Sequence, residues 1–475
     1  MDAPLSVGFE CEIKIAFDES ELRAANPEVR HLQLVKDHGP VQGKRAAFSC
    51  YRDKTYQNWG IRNTISPVYF EETSLQNFHQ PEHTCDFRMY KDEPLKLVRD
   101  ILQRSGISSM IHADLSAKQI DFSAAPWSLQ RDASLMGLTS EQKIAAFPYS
   151  ISTVEEAREI DCYGVELVSW PWTSAEAAHD SVKSAGEALR AHLKHGFVAD
   201  HETALHAHVG LVDGSAFPLR VLQNLFLITV LFEDEVSQLH SYQRRRGAGD
   251  FEIESNRDEF YSEGADDVSR EVPDPEHPGK TITRMFIPNF MSPKEIERKI
   301  FTEVDGARDP KVRFRQLSGN KQHVVNFSYC FRDKAAGEAA PTVEFRQHDG
   351  TMDESEIFHW YHHCAGLVSL AQRYAREETT VTQRLGISTW DSRISIDDLW
   401  NEMALPEESQ TFYRLRIAKF NESDPSWQPS PPVWDLIQPD SDAEEDEPAE
   451  LVQKSDPSSP RAASALQVTL EHLDL

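Results

Sequence analysis

Ser6-Val7-Gly8-Phe9-Glu10-Cys11-Glu12-Ile13-Lys14-Ile15-Ala16-Phe17 alternates closely enough to read as a β-strand. Successive side chains leave a strand on opposite sides, so Glu10 and Glu12 point one way and Cys11 the other. Cys11 is therefore expected in the core rather than as a nucleophile. Three further segments repeat the theme: Gly164-Val165-Glu166, His206-Ala207-His208 and Glu344-Phe345-Arg346. Carboxylates and imidazoles with an arginine beside them suit divalent metal ions that hold phosphate oxygens.

Working outward, strands are expected at Trp127–Gln130, Cys162–Trp170, Thr203–Val212, Val324–Phe331 and Thr342–Gln347. Helices are expected at 94–105, 174–194 (capped by Thr173 or Ser174), 218–240, 293–303 and 354–376, with one or two lesser helices over 397–419. The helix opened by Pro218 is apolar nearly all round and reads as buried. Strands and helices do not alternate strictly. That favours an α+β fold built on a largely antiparallel sheet with packed helices. Residues 1–420 read as one catalytic-sized domain, with an insertion at 18–90 and a long loop at 243–290. Pro, Ser, Asp and Glu then dominate 422–475, and Asp435 to Gln453 holds eight acidic residues and no basic one, the composition of a disordered tail.

The chain has 475 residues and a formal net charge of −29. An acidic balance argues against a nucleic-acid partner, whose phosphates demand Lys and Arg. The six cysteines form no CxxC pair and no zinc spacing, as in a reducing compartment. No signal core and no membrane-length apolar run is visible, so the expectation is a cytoplasmic protein without a membrane partner, the nucleus remaining open. Neither GxxxxGK[ST] nor a strand-borne GxGxxG is present, so any nucleotide role rests on the carboxylate–histidine segments.

Taken in order along the chain, these segments resemble the fungal and bacterial amidoligase family. Its catalytic fold is similar to those of glutamine synthetase and glutamate–cysteine ligase. The resemblance is carried by Val7-Gly8-Phe9-Glu10-Cys11-Glu12, by Trp127 with Asp132-Ala133-Ser134-Leu135, and by Gly164-Val165-Glu166-Leu167-Val168-Ser169. It continues through His206-Ala207-His208-Val209-Gly210, Phe232-Glu233, Arg244-Arg245-Arg246-Gly247 and Val325-Asn326-Phe327-Ser328. It ends on Thr342-Val343-Glu344-Phe345-Arg346-Gln347-His348-Asp349-Gly350-Thr351-Met352-Asp353, the most specific segment. It spans residues 5–375 in outline, thinly over 18–120 and 248–310, and the tail has no counterpart.

The resemblance implies ATP-dependent joining of a carboxylate to an amine through an acyl phosphate, with Mg or Mn. Glu10, Glu12, Glu166, His206 and Glu344 would hold the metal. His208 and Arg346 would meet the nucleotide phosphates, with Arg245 and Arg246 as further nucleotide contacts. Arg346, Glu344 and His208 would be catalytic, and Asp132, Ser134 and Asn326 would face the substrate. The partners implied are a small-molecule or peptide carboxylate and an amine, and the acidic tail could engage a protein.

Each pair also has an ordinary reading. Glu-x-Glu can be a solvated sheet face, Glu-x-Arg a structural ion pair, and Arg244 to Arg246 a surface charge run. His359 and His363, four apart on a helix, could bind metal but lack a third ligand. Two other functions fit the same residues: a metal-dependent amide or phosphate hydrolase, or an inactive scaffold acting through its tail.

Overall fold

The structure is a computed structural model. It describes residues 3–25, 44–47, 68–71, 93–112, 127–131, 135, 138, 140–200, 203–241, 244, 255–257, 260, 268–273, 281–286, 291–319, 322–332, 340–390 and 395–423. The chain divides into two units, Met1–Pro432 and Val433–Leu475, and every described residue lies in the first. The acidic tail from 424 onward and most of the expected insertion lie outside the described residues.

The strands are β1 Leu5–Asp18, β2 Lys44–Ala47, β3 Val68–Glu71, β4 Ser109–Ile111, β5 Trp127–Arg131, β6 Ile160–Ser169, β7 Phe197–Val198, β8 Ala204–Leu211, β9 Val268–Pro273, β10 Thr281–Phe286, β11 Val325–Asn326 and β12 Thr342–Asp349. The helices are α1 Glu19–Ala25, α2 Glu93–Arg104, α3 Ser140–Ala146, α4 Val154–Glu159, α5 Ala175–His192, α6 Leu219–Leu231, α7 Glu233–Ser237, α8 Pro293–Arg298, α9 Pro310–Ser318, α10 Glu354–Arg376, α11 Val381–Leu385, α12 Ile396–Met403 and α13 Glu407–Ser423. Eight strands make one sheet in the order β11-β12-β8-β1-β6-β5-β4, with β7 pairing β1.

The architecture is α+β, but the sheet is mixed rather than largely antiparallel, because β4 runs parallel to β5. Side-chain alternation reports which face a residue takes and carries no information on strand direction. β1 is central, joined antiparallel to β6 on one side and to β7 and β8 on the other. One face of the sheet is apolar. Val7, Phe9, Cys11, Ile13 and Ile15 of β1 are fully buried, with Leu205, Ala207 and Val209 of β8 and Val165 and Leu167 of β6. These join one apolar cluster with side chains of α5, α6 and α10. Each such side chain, fully buried, is worth ~1.5–3 kcal/mol. The polar members of the same strands are left for the other face.

Three more expectations need correction. The single helix over 218–240 is two helices, because Phe232 leaves helical geometry (φ −103°, ψ 17°). The buried guanidinium of Arg257 donates to the carbonyls of Val230 (2.7 Å) and Leu231 (3.1 Å), groups that a continuing helix would have bonded itself. The strand over 324–331 is cut to Val325–Asn326. The Asn326 side-chain oxygen accepts from the Ser328 amide at 2.8 Å, a turn-forming bond that sends the chain into a 3₁₀ turn at Ser328–Phe331. Within the expected loop at 243–290, β9 and β10 form an antiparallel hairpin. No helix among the described residues is long and apolar enough to cross a membrane.

Gly350, in the segment that follows β12, donates its amide to the carbonyls of Asp200 (3.0 Å) and Thr203 (2.9 Å). A Cβ there would stand 1.8 Å from Thr203 Oγ1 and 2.9 Å from its carbonyl carbon. Gly350→Ala should therefore destabilise the chain by roughly 1–3 kcal/mol or more in urea denaturation. Because the carbonyl carbon remains in the way, trimming Thr203 to Ala should not restore stability.

Behind the sheet, His348 and His363 flank Trp360, with ring centroids 5.1 and 5.2 Å from it. Burial pushes His348 down to about 4 and His363 down to about 3. Below the ordinary histidine value the unfolded chain takes up protons that the folded chain refuses. Stability should thus be full above about pH 6.5 and fall as the pH drops toward 4. Urea midpoints at pH 7.5, 6 and 5 should decline, and less steeply in His363→Phe. Equal slopes in the two proteins would count against this reading.

Candidate functional site

Side chains directly opposite across an antiparallel pair share a face. Glu10 of β1 faces His206 of β8, and Glu12 faces Glu166 of β6, which in turn faces Gln130 of β5. His208 of β8 faces Glu344 of β12, and Glu344 faces Asn326 of β11. Pairing therefore brings the four sequence segments onto one face of one sheet.

The contacts are close. His206 Nδ1 lies 3.3 Å from Glu10 Oε2 and 3.4 Å from Glu344 Oε1, and its Nε2 lies 3.7 Å from Glu12 Oε1. His208 Nε2 lies 3.1 Å from Glu10 Oε1 and 3.8 Å from Glu344 Oε1. One ligand atom each from Glu10, His206 and Glu344 falls within 4.8 Å of the others, a separation a single cation can bridge. Glu12 and Glu166 stand outside this group of three. Glu12 Oε2 accepts the Ala204 amide at 2.8 Å, which ties β1 to the start of β8.

Glu344 is only 1 % exposed, and its neighbours explain how a carboxylate survives there. Asn326 donates its amide to Glu344 Oε2 at 2.6 Å, and Arg346 donates to Oε1 at 2.6 Å. Arg346 sits in a register shift of β12 between Phe345 and His348. Such bulges re-aim side chains and leave carbonyls unpaired in the ladder. Buried Arg244 meets those carbonyls, donating to Arg346 O (2.8 Å) and His348 O (3.3 Å).

Charge divides the two histidines. Burial and the Arg346 charge push His206 below its ordinary value, against the pull of Glu10 and Glu344. For His208 burial acts the same way, but Glu10 and Glu344 outweigh it and raise the imidazole. Burial would raise the Glu10 carboxyl, yet the charge of His208 and contacts from both imidazoles hold it well below the usual carboxylate range. The face thus favours the neutral imidazole at 206, the form that ligates metals, and favours the charged form at 208. Burial disfavours the Arg346 charge, and Glu344 reverses that and raises it.

The other expected residues fall out differently. Asn326, expected on the substrate, is fully buried and spends its side chain on Glu344 and Ser328, so it positions the carboxylate. Asp132, Ser134, Arg245 and Arg246 lie outside the described residues. His359 bonds Ser409 Oγ at 2.9 Å and stacks on Phe412, while His363 stacks on Trp360, so neither joins a metal-ligand group among the described residues. Cys11 is fully buried, and burial together with Glu166, Glu10 and Glu12 drives its thiol far above the ordinary value, as suits a core residue. Sequence reading missed Thr342, whose Oγ1 lies 3.2 Å from His208 Nδ1, although the period of two from Glu344 already implied it. It also missed Tyr329, stacked on His208 at 5.6 Å, and Arg332, lying 3.8 Å over the Tyr329 ring. Those two belong to an irregular turn with no period to read.

Comparison of the chain with protein-family models, curated proteins and solved structures found no match.

The opposite shifts of the two histidines are directly measurable. In NMR titrations of the metal-free chain, His208 should titrate above pH 6.5 and His206 below it. Glu10→Gln should bring His208 down, since burial would then meet less opposition. Coincident midpoints for the two rings would contradict the arrangement of charges described.

Proposed function

We propose that this chain is an ATP-dependent carboxylate–amine ligase working with Mg or Mn at the polar sheet face. The observation that carries the proposal is the convergence of Glu10, His206 and Glu344 within 4.8 Å of one another, with His208 and Arg346 against them. Two carboxylate oxygens and a neutral imidazole nitrogen make a donor set that fits a hard or borderline divalent cation. Such an ion would neutralise the β- and γ-phosphates of a nucleotide. Glu12 and Glu166 extend the acidic row for a second ion or its water ligands.

The chemistry follows from the substrates. A carboxylate oxygen of the acid attacks the γ-phosphorus, the bond to the β-phosphate oxygen breaks, and ADP leaves. The amine then attacks the acyl carbon, loses a proton, and inorganic phosphate departs. Negative charge moves in both steps, so fixed cations near the phosphates lower the barriers. Arg346 offers a fork of five N–H donors, of which one group is engaged by Glu344 here. His208, whose charged form Glu10 and Glu344 favour, stands beside it, with Thr342 and Tyr329 against its ring. The acid and amine are small molecules or peptides, and a protein partner is proposed for the acidic tail.

A metal-dependent hydrolase would use the same triad to activate water. Arg346 against the triad suits a phosphate-bearing substrate, which favours the ligase over an amide hydrolase, while a phosphate hydrolase would use it equally. Thermal melts separate the two. ATP with Mg should raise the melting temperature, and neither alone should do so to the same extent. ADP release should then depend on an added acid–amine pair. Folded Arg346→Ala should lose about 10²–10³ in turnover, and Glu344→Gln should lose the Mg-dependent shift. Amide or phosphoester cleavage without nucleotide, together with no ATP shift, would replace the ligase with the hydrolase.

A further inference from the structure

A second group of metal-ligating side chains lies at the far end of β1, apart from the polar face. Asp18 closes β1, Glu21 lies in the first turn of α1, and His195 follows α5 on the way into β7. One ligand atom from each falls within 4.8 Å of the others. The His195 side chain is only 7 % exposed. Neither of its ring nitrogens has a hydrogen-bond partner among the described residues. Its Nε2 is aimed at Asp18 Oδ2 from 3.9 Å, too far for a hydrogen bond. A buried imidazole left without a partner loses hydration with nothing in return, and pointing at two carboxylates it has the geometry of a ligand without its ion.

The surrounding backbone holds the three groups in place. The Asp18 amide donates to Glu21 Oε2 at 3.2 Å, and the Glu21 amide returns the bond to Asp18 Oδ1 at 2.9 Å. Ser20 Oγ donates to the same Oδ1. The Lys194 amide donates to Glu21 Oε1 at 3.0 Å, and the Ala16 amide to Gly196 O at 3.3 Å. Gly196 takes φ +82°, the left-handed turn that joins His195 to β7. Asp18 Oδ1 is filled by its two donors, while Asp18 Oδ2 and both Glu21 oxygens keep a lone pair beyond these bonds. The Lys194 ammonium pairs with Asp18 Oδ2, but its side chain is 58 % exposed, so it can leave for solvent when a cation enters.

We infer that Asp18, Glu21 and His195 form a site for a transition-metal cation of the zinc class, separate from the polar face. One imidazole with two carboxylates and an open fourth position is a zinc-type donor set, softer than magnesium prefers. Tetrahedral ligands at ~2.1 Å from zinc stand roughly 3.4 Å apart, so the 3.9 Å gap from His195 to Asp18 must shorten by about half an ångström. The ion would fasten the end of β1 and the start of α1 to the α5–β7 connection, groups 177 residues apart in the chain (195 − 18). Such a clip stabilises by binding the folded chain alone.

The test uses the full chain carrying His206→Ala, which disables the sheet-face triad. Titration with Co²⁺, read by its visible d–d bands, and with Zn²⁺ by calorimetry should each give one bound equivalent and a raised melting temperature. Adding His195→Ala should weaken that binding at least about tenfold while circular dichroism stays unchanged. Asp18→Asn should weaken it as well. Lys194→Gln removes the competing ammonium and should bind the metal more tightly than the parent. The inference is overturned if the parent binds no equivalent, or if folded His195→Ala and Lys194→Gln bind as the parent does. None of these outcomes bears on nucleotide binding, so the ligase proposal stands or falls separately.

Discussion

A carboxylate at 1 % exposure must find its partners inside the protein or lose its charge, and Glu344 is that carboxylate. It is held from two sides, by Asn326 on the neighbouring strand and by Arg346 two residues on. The support continues outward through backbone bonds. Asn256 reads both the amide and the carbonyl of Val325 with its side chain, at 3.0 and 2.8 Å, which fixes β11 at the sheet edge. Asn256 and Ser255 are themselves anchored on Glu233, at the break between α6 and α7. The broken helix and the shortened strand are thus parts of one arrangement that presents Glu344. A continuous helix over 218–240 would not place Glu233 at a helix start with its carboxylate turned to the loop.

The same constraint orders the sheet as a whole. Its apolar face is committed to α5, α6 and α10, so strand alternation sends Glu10, Glu12, Glu166, His206, His208 and Glu344 to the opposite face together. Carboxylates and imidazoles then neutralise one another at 3.1–3.8 Å. The mutual pairing explains why the histidines separate in charge: His206 also feels Arg346, whereas Glu10 and Glu344 dominate His208. A cation between Glu10, His206 and Glu344 would replace part of this internal neutralisation.

Much of this was legible in the sequence, for a definite reason. Period two is a local property, so Glu10 with Glu12, His206 with His208, and Glu344 with Arg346 could each be assigned a common face from neighbouring residues alone. The order of the strands in the sheet has no such local mark. That Glu10 faces His206 rather than Glu166 is decided by the register of β1 against β8. Direction is equally silent, which is why the parallel β4–β5 pair went unforeseen. Side chains that serve the backbone were the other blind spot. Arg244 reads in the sequence either as part of an arginine turn or as part of a surface charge run, but it is buried against the bulge carbonyls of β12. Asn326 stands among the substrate contacts only because the resemblance implies it. Only the register opposite Glu344 reveals it as the residue that holds the carboxylate in place.

The central claim is that Glu10, His206 and Glu344 take a cation that in turn takes a phosphate. Crystals grown with Mn²⁺ and a non-hydrolysable ATP analogue test it most directly, through the anomalous scattering of manganese. The account predicts a manganese peak ligated by Glu10, His206 and Glu344, with a nucleotide phosphate oxygen completing its shell and Arg346 or His208 against the same phosphate. A nucleotide bound elsewhere, or a triad that keeps its internal ion pairs with no manganese between them, would contradict it.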